Sequence, residues 1–192
     1  MENRFLFKNG AVFSAAESPP VTSFLEAHPG AYTTTRTHSN GSQLLFWERH
    51  MNRLSNSFNL LLNHEPRLLF GEGKVDYSNF QLWSRKFMWD SLIRSLVDDS
   101  IRKVMMPLLG RLEKKLQEEM AITILLSVNS ENLNTLRLTE NEATVFSEFV
   151  DVYLHIGGYV PPVFGVAENS ARLAIVGRGR DFANAKYSDW IR

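Results

Sequence analysis

The chain has 192 residues, 44% hydrophobic and 22% charged, and its 21 basic and 21 acidic side chains balance to a formal net charge of zero. This is the composition of a globular protein with enough chain for a sizeable core, and the charge balance argues against an extended nucleic-acid or acidic-membrane surface. With no cysteine, disulfides, thiolate zinc sites and cysteine nucleophiles are excluded.

In chain order, residues 4–13 predict a hairpin: apolar Phe5, Leu6 and Phe7, a Lys8-Asn9-Gly10 turn, then Ala11, Val12 and Phe13. Ser18-Pro19-Pro20 breaks that pattern, and 22–28 reads as a short helical turn ended by Pro29-Gly30. The threonine-rich segment 31–38 predicts a strand, Asn40-Gly41 a hairpin turn, and 43–46 the returning strand. From Trp47 the period changes. Trp47, Met51, Leu54, Phe58 and Leu61 recur at three and four residues, the buried stripe of a helix reaching about Asn63.

Residues 66–77 form a glycine-containing connection. A long helical segment is expected from about Asn79 to about Met120, where Pro107 and Gly110 could break it. Its positions Phe87, Leu92, Leu96, Ile101, Val104 and Leu108 suit packing on a sheet. Residues 121–126 predict a buried strand, 129–141 a polar exposed loop, and 146–156 a further strand closed by Gly157-Gly158 and Pro161-Pro162. A short strand follows at 173–176, and Asp181 opens a last helix or turn. Strands, then helices, then strands give an α+β class with mostly antiparallel pairing. The most apolar run, 121–128, is too short to span a bilayer. The first residues, Met1-Glu2-Asn3-Arg4-Phe5, carry neither a signal-peptide core nor a transit pattern, so a cytoplasmic location is expected.

Two places concentrate chemistry. In the strand-turn-strand-helix unit over 30–54, Tyr32, Arg36, His50 and Arg53 stand in compact order. His50 and Arg53, three apart, share a helix face near an opening turn that favours anions, and an arginine fork there would clamp phosphate. The plainer alternative is solvated Arg49 and Arg53 beside a packing histidine. The second place is Lys186, among Ala183 and Ala185 with Phe182, Tyr187 and Trp190 near. Such surroundings would desolvate an amine and lower its pKa, as a nucleophilic lysine requires. Most lysines, however, are simply solvated. Gly71-Glu72-Gly73-Lys74 lacks P-loop spacing, Gly177-Arg178-Gly179-Arg180 reads as a solvated turn rather than an RNA-binding element, and 111–119 is a mixed-charge solvated face. Glu48 and His50 are not at the spacing of a helical metal site, so no metal is expected.

Taken together, three pieces in order resemble class IV aminotransferases, the fold-type IV enzymes dependent on pyridoxal 5'-phosphate (PLP). Gly30-Ala31-Tyr32-Thr33-Thr34-Thr35-Arg36-Thr37 is similar to the family's Gly-x-(Tyr/Phe)-Glu-x-x-(Arg/Lys)-x strand. Glu48-Arg49-His50-Met51-Asn52-Arg53-Leu54 is similar to its Glu-His-x-x-Arg-Leu helix, and Ala185-Lys186-Tyr187 to its lysine segment. The strand is most like that of plant D-amino-acid-aminotransferase-like proteins. The resemblance implies that Lys186 bonds covalently to PLP and moves a proton to and from it. Arg53 would hold the cofactor phosphate with His50 in support, and Tyr32 and Arg36 would line the substrate side. It also implies a D-amino-acid or branched-chain type of aminotransferase, or a lyase, acting on a small amino acid and a 2-oxo acid. A homodimer, with neither nucleic acid nor membrane as partner, goes with that. Where the family has Glu, this chain has Thr33.

By the same resemblance, 1–165 is an N-terminal α+β domain and 166–192 the connection and cofactor-lysine segment, the family's large C-terminal domain being absent. The family's acidic partner for the pyridine nitrogen belongs to that domain, so little turnover is expected of the chain as it stands. The alternative is a truncated, non-catalytic module acting through protein contacts.

Overall fold

Asn9 and Gly10 both take positive φ, 52° and 81°, which a two-residue hairpin loop requires. They turn strand β1 (Arg4–Lys8) back onto β2 (Ala11–Val12), with Phe7 opposite Val12. In the computed structural model, residues 4–13, 18–70, 89–112, 119–129, 142–163 and 182–188 are described. Strands β3 (Ala31–His38), β4 (Gln43–Leu44), β5 (Glu119–Val128) and β6 (Val150–Tyr159) join them in one six-stranded sheet of order β2-β1-β6-β5-β3-β4. Every pairing between these strands is antiparallel, so the fold is α+β.

The two faces of the sheet are covered unequally. On one, α2 (Trp47–His64), α3 (Arg67–Phe70), α4 (Trp89–Leu112) and α5 (Glu142–Phe149) pack over Ile122, Ile124, Leu126, Val152, Leu154 and Ile156. On the other, among the described residues, only the short α1 (Val21–Ala27) lies down, setting Phe24 and Leu25 against Leu6, Leu125 and Tyr153. Strand β6 is therefore buried from Val150 to Ile156 on both sides, which erases the alternation that a half-buried strand shows. Strand β3 lies beyond that cover and keeps it. Ala31, Thr33, Thr35 and Thr37 are buried, while Tyr32, Thr34, Arg36 and His38 turn to the second face.

The helix-period stripe of α2 is as expected, with Met51, Leu54, Phe58 and Leu61 buried and Trp47 half-buried. Elsewhere packing redraws the expected elements. The returning strand β4 stops at Leu44, because the Leu45 carbonyl accepts from Thr35 Oγ1 (2.8 Å) and Phe46 turns into the left-handed region to start α2. Helix α4 runs through Pro107 without ending, and Glu119 and Met120 belong to β5. Its buried side is Trp89, Ile93, Val97 and Val104, one position from the expected Leu92 and Leu96, which with Ile101 are only partly covered. Residues 146–149 are helical rather than extended. The three-residue spacing of Phe146 and Phe149 lets both rings meet Trp89, at 5.2 and 5.7 Å. Gly157 and Gly158 lie inside β6, which the prolines close. The expected helix start over 79–88, the connection over 71–77, the loop over 130–141, the charged run over 113–118, and the strand and Gly-Arg segment over 173–180 lie outside the described residues. No described helix is long and apolar enough to cross a membrane.

Gly30 opens β3 at φ 155°, and a Cβ there would sit 2.2 Å from the Leu126 carbonyl oxygen. Gly30→Ala must push β3 and β5 apart or bend the entry to β3. We expect a loss of about 3 kcal/mol of stability, measured as the shift in urea midpoint at unchanged slope.

Candidate functional site

Lys186 reaches the sheet through its backbone. The Lys186 carbonyl accepts from the Tyr32 N–H (2.9 Å), and the Ser188 N–H donates to the Gly30 carbonyl (2.9 Å), so Ala31 and Tyr187 form an antiparallel bridge on the outer edge of β3. A third tie comes from α2, where the Lys186 N–H donates to Ser57 Oγ (3.0 Å) and that hydroxyl donates to the Arg53 carbonyl (2.8 Å). Ser57 is fully buried. It joins the lysine segment to the helical turn that begins at Arg53.

Extended chain alternates its side chains, and this decides what surrounds the amine. Ala185 and Tyr187 pack into the helix-side core, with Phe182 against it, and Ala183 is exposed. The apolar chain neighbours thus anchor the segment rather than wall the amine. Lys186 points to the other face, its Nζ 4.6 Å from the centroid of the Tyr32 ring, within cation–π range.

On the helix side of the same edge stand His50 and Arg53. Thr33 Oγ1 is 2.9 Å and Arg53 Nη2 3.4 Å from His50 Nδ1. A guanidinium only donates, so Nδ1 is an acceptor and the ring proton sits on Nε2. Burial, then the Arg53, Lys186 and Arg49 charges, hold the His50 pKa below its ordinary value. Every charge acting on that ring is positive, so cations from α2 and from the lysine segment converge there. Glu48, next but one in sequence, is engaged with Arg94 of α4 in a two-pronged ion pair.

Of the residues singled out in the sequence, Lys186 and Tyr32 are in contact, His50 and Arg53 are in contact, and the two pairs flank β3. Arg36 stands apart, its guanidinium 5.4 Å over the Tyr159 ring. Ser57 was not legible as a site residue, because one serine in a helix carries no pattern. Nor was His155, which is buried in β6 with Nε2 donating to the Pro19 carbonyl at 2.8 Å. Next to His155 on the second face, Thr34 and Thr123 share a hydroxyl–hydroxyl hydrogen bond of 3.0 Å. These residues, with Tyr32 and Lys186, line a cavity of about 450 Å³ under α1. Among the described residues no cluster of three His, Asp or Glu side chains is placed to hold a metal ion.

Comparison of the chain with protein-family models, with curated proteins and with solved structures returned no match.

Ser57→Ala would leave the Lys186 N–H without its acceptor. We expect about 1–3 kcal/mol of lost stability, with faster amide exchange at Lys186 by NMR. A second expectation concerns acid. Burial depresses the His155 pKa, as it does that of His50. The folded state therefore takes up fewer protons than the unfolded one, whose histidines titrate near 6.5. The stability is present above that pH and lost as pH falls through the depressed folded values, at up to about 1.4 kcal/mol per pH unit for His155. Denaturation between pH 7 and 5 should show this slope, and His155→Gln should flatten it.

Proposed function

We propose that the chain is a PLP-binding protein of the class IV aminotransferase type, moving an amino group between an amino acid and a 2-oxo acid. The observation that carries this reading is the placement of Lys186. Three hydrogen bonds at Lys186 and Ser188 seat its segment, the residue lines a ligand-sized cavity with its amine over the Tyr32 ring, and Arg49 and Arg53 add positive charge around His50 on the helix side of β3.

The residues fit the cofactor's chemistry. Arg53, with the neutral His50 presenting its Nε2–H and with Arg49 adding charge, suits a phosphate dianion. Thr33, where the family has Glu, is hydrogen-bonded to the same His50 Nδ1 that Arg53 makes an acceptor. Lys186 supplies the amine that an aldehyde needs. When bound, PLP supplies an electron sink for the charge that develops at the amino acid's α-carbon. Lys186 is then the group able to take and return the proton at that carbon. The Tyr32 ring limits where its amine can travel, and α1 shields the cavity from water on one side.

Exposed Phe46, Val160 and Val163 favour a second reading, a module that works through protein contacts. Incubation with PLP, borohydride reduction and peptide mass mapping separate the two. The expected result is a pyridoxyl group on Lys186, lost in Lys186→Ala, with PLP affinity lowered about 10- to 100-fold in Arg53→Ala. Modification spread over surface lysines without preference for Lys186 would overturn the cofactor reading and leave the contact module.

A further inference from the structure

The cavity on the second face has a floor and a wall of distinct character. Its floor is the strand register itself: Thr34 opposite Thr123 opposite His155, and in the next row Ala121 opposite Gly157 opposite Arg4. The polar groups of the first row are already engaged, Thr34 with Thr123 and His155 Nε2 with the Pro19 carbonyl. The second row offers almost no side chain at Ala121 and Gly157. The wall is the start of α1, where Pro20, Val21 and Leu25 line the space together with Thr22 and Glu26. A space of about 450 Å³ lies within the range that encloses small ligands. The floor's hydroxyls and His155 Nε2 are engaged, and the lining is more apolar than polar although Thr22, Glu26 and Arg4 contribute to it, which favours an apolar ligand side chain.

We propose that this cavity is the side-chain pocket for an amino acid or 2-oxo acid with a bulky, aromatic-sized apolar side chain, and that Ala121 and Gly157 set the size it admits. The proposal rests on Lys186 being the reactive amine of the proposed function, because the ligand's carbonyl or amino carbon must lie at the Lys186 rim while its side chain extends under α1. Gly157 is not required by its backbone. It has no positive φ, and a Cβ there would meet only Arg4 Cγ at an ordinary 3.5 Å. A glycine in a strand interior otherwise weakens it, so the space that Gly157 leaves open is the consequence of its having no side chain.

The test uses aldehydes as probes of both amine and pocket. Benzaldehyde and acetaldehyde are each offered to the full chain with cyanoborohydride, and labelling is mapped by peptide mass at Lys186 and at the exposed Lys103. In each case the amine nitrogen bonds to the carbonyl carbon, water leaves, and hydride from the borohydride reduces the C=N bond to a secondary amine. PLP labelling is run in parallel on the same proteins. The expected result is a preference for benzaldehyde over acetaldehyde about ten-fold greater at Lys186 than at Lys103. Gly157→Val and Ala121→Leu, which place side chains in the pocket from neighbouring strands, should each remove most of that preference while acetaldehyde labelling holds.

The pocket assignment is overturned if the wild-type preference is equal at the two lysines, or if both variants fold with the wild-type thermal midpoint and keep the preference. Selective benzaldehyde labelling of Lys186 without PLP labelling would sink the cofactor reading alone. PLP labelling of Lys186 without an aromatic preference would sink the pocket alone.

Discussion

The outer edge of β3 is the constraint on which the rest of the site depends. A strand edge offers N–H and C=O groups at fixed spacing, and two separate pieces of chain occupy this one. At the start of β3, Lys186 and Ser188 bond to Tyr32 and Gly30. At its end, β4 and Leu45 bond to Arg36, Thr37 and His38. Thr33 and Thr34 lie between these attachments. Because side chains alternate along a strand, Thr33 turns to His50 on the helix side and Thr34 to the cavity on the other. The edge therefore has a cationic, hydrogen-bonding flank and a cavity flank, and Lys186 stands where they meet.

Close approach at Gly30 makes that meeting possible. The strand can enter beside β5 only if the residue just before it has no Cβ, since the Leu126 carbonyl fills that space at Gly30. Ala185 and Tyr187 hold the arriving segment by burial in the core, and Ser57 ties it to α2. The lysine is thus held by its neighbours and its own backbone, while its side chain keeps its reach.

Unequal covering of the sheet explains why the cavity exists. Four helices and the large hydrophobic core on one face supply the burial that stabilises a domain of this length. Among the described residues the other face has only α1, a seven-residue helix, which packs on Leu6, Leu125 and Tyr153 and is too short to cover the full width of the sheet. The part left uncovered is where short side chains at Thr34, Ala121, Thr123 and Gly157 leave room.

Local features of the chain were legible wherever a local rule sufficed. Asn9-Gly10 made a hairpin because only certain residues accept two successive positive φ values, and Asn40-Gly41 did so for related reasons. The stripe from Met51 to Leu61 declared α2 by its period, and the alternation of β3 declared its two faces. The three-residue spacing of His50 and Arg53 was enough to bring them together, because a helix is a local geometry. Where packing decides, the sequence misled in part: Ile93 and Val97 rather than Leu92 and Leu96 are the buried residues of α4, although Val104 is buried as expected, and Phe146 to Phe149 read as strand although they are helical and their rings meet Trp89. By itself, then, the sequence determined the α+β class, several of the described elements and the shared helix face of His50 and Arg53. Only the tertiary structure decided that Lys186 meets Tyr32, that Ser57 rather than a chain neighbour seats it, and that the cavity lies under α1. Those contacts join residues more than a hundred positions apart, and no periodicity or spacing along a chain encodes which strand edge a distant segment will occupy.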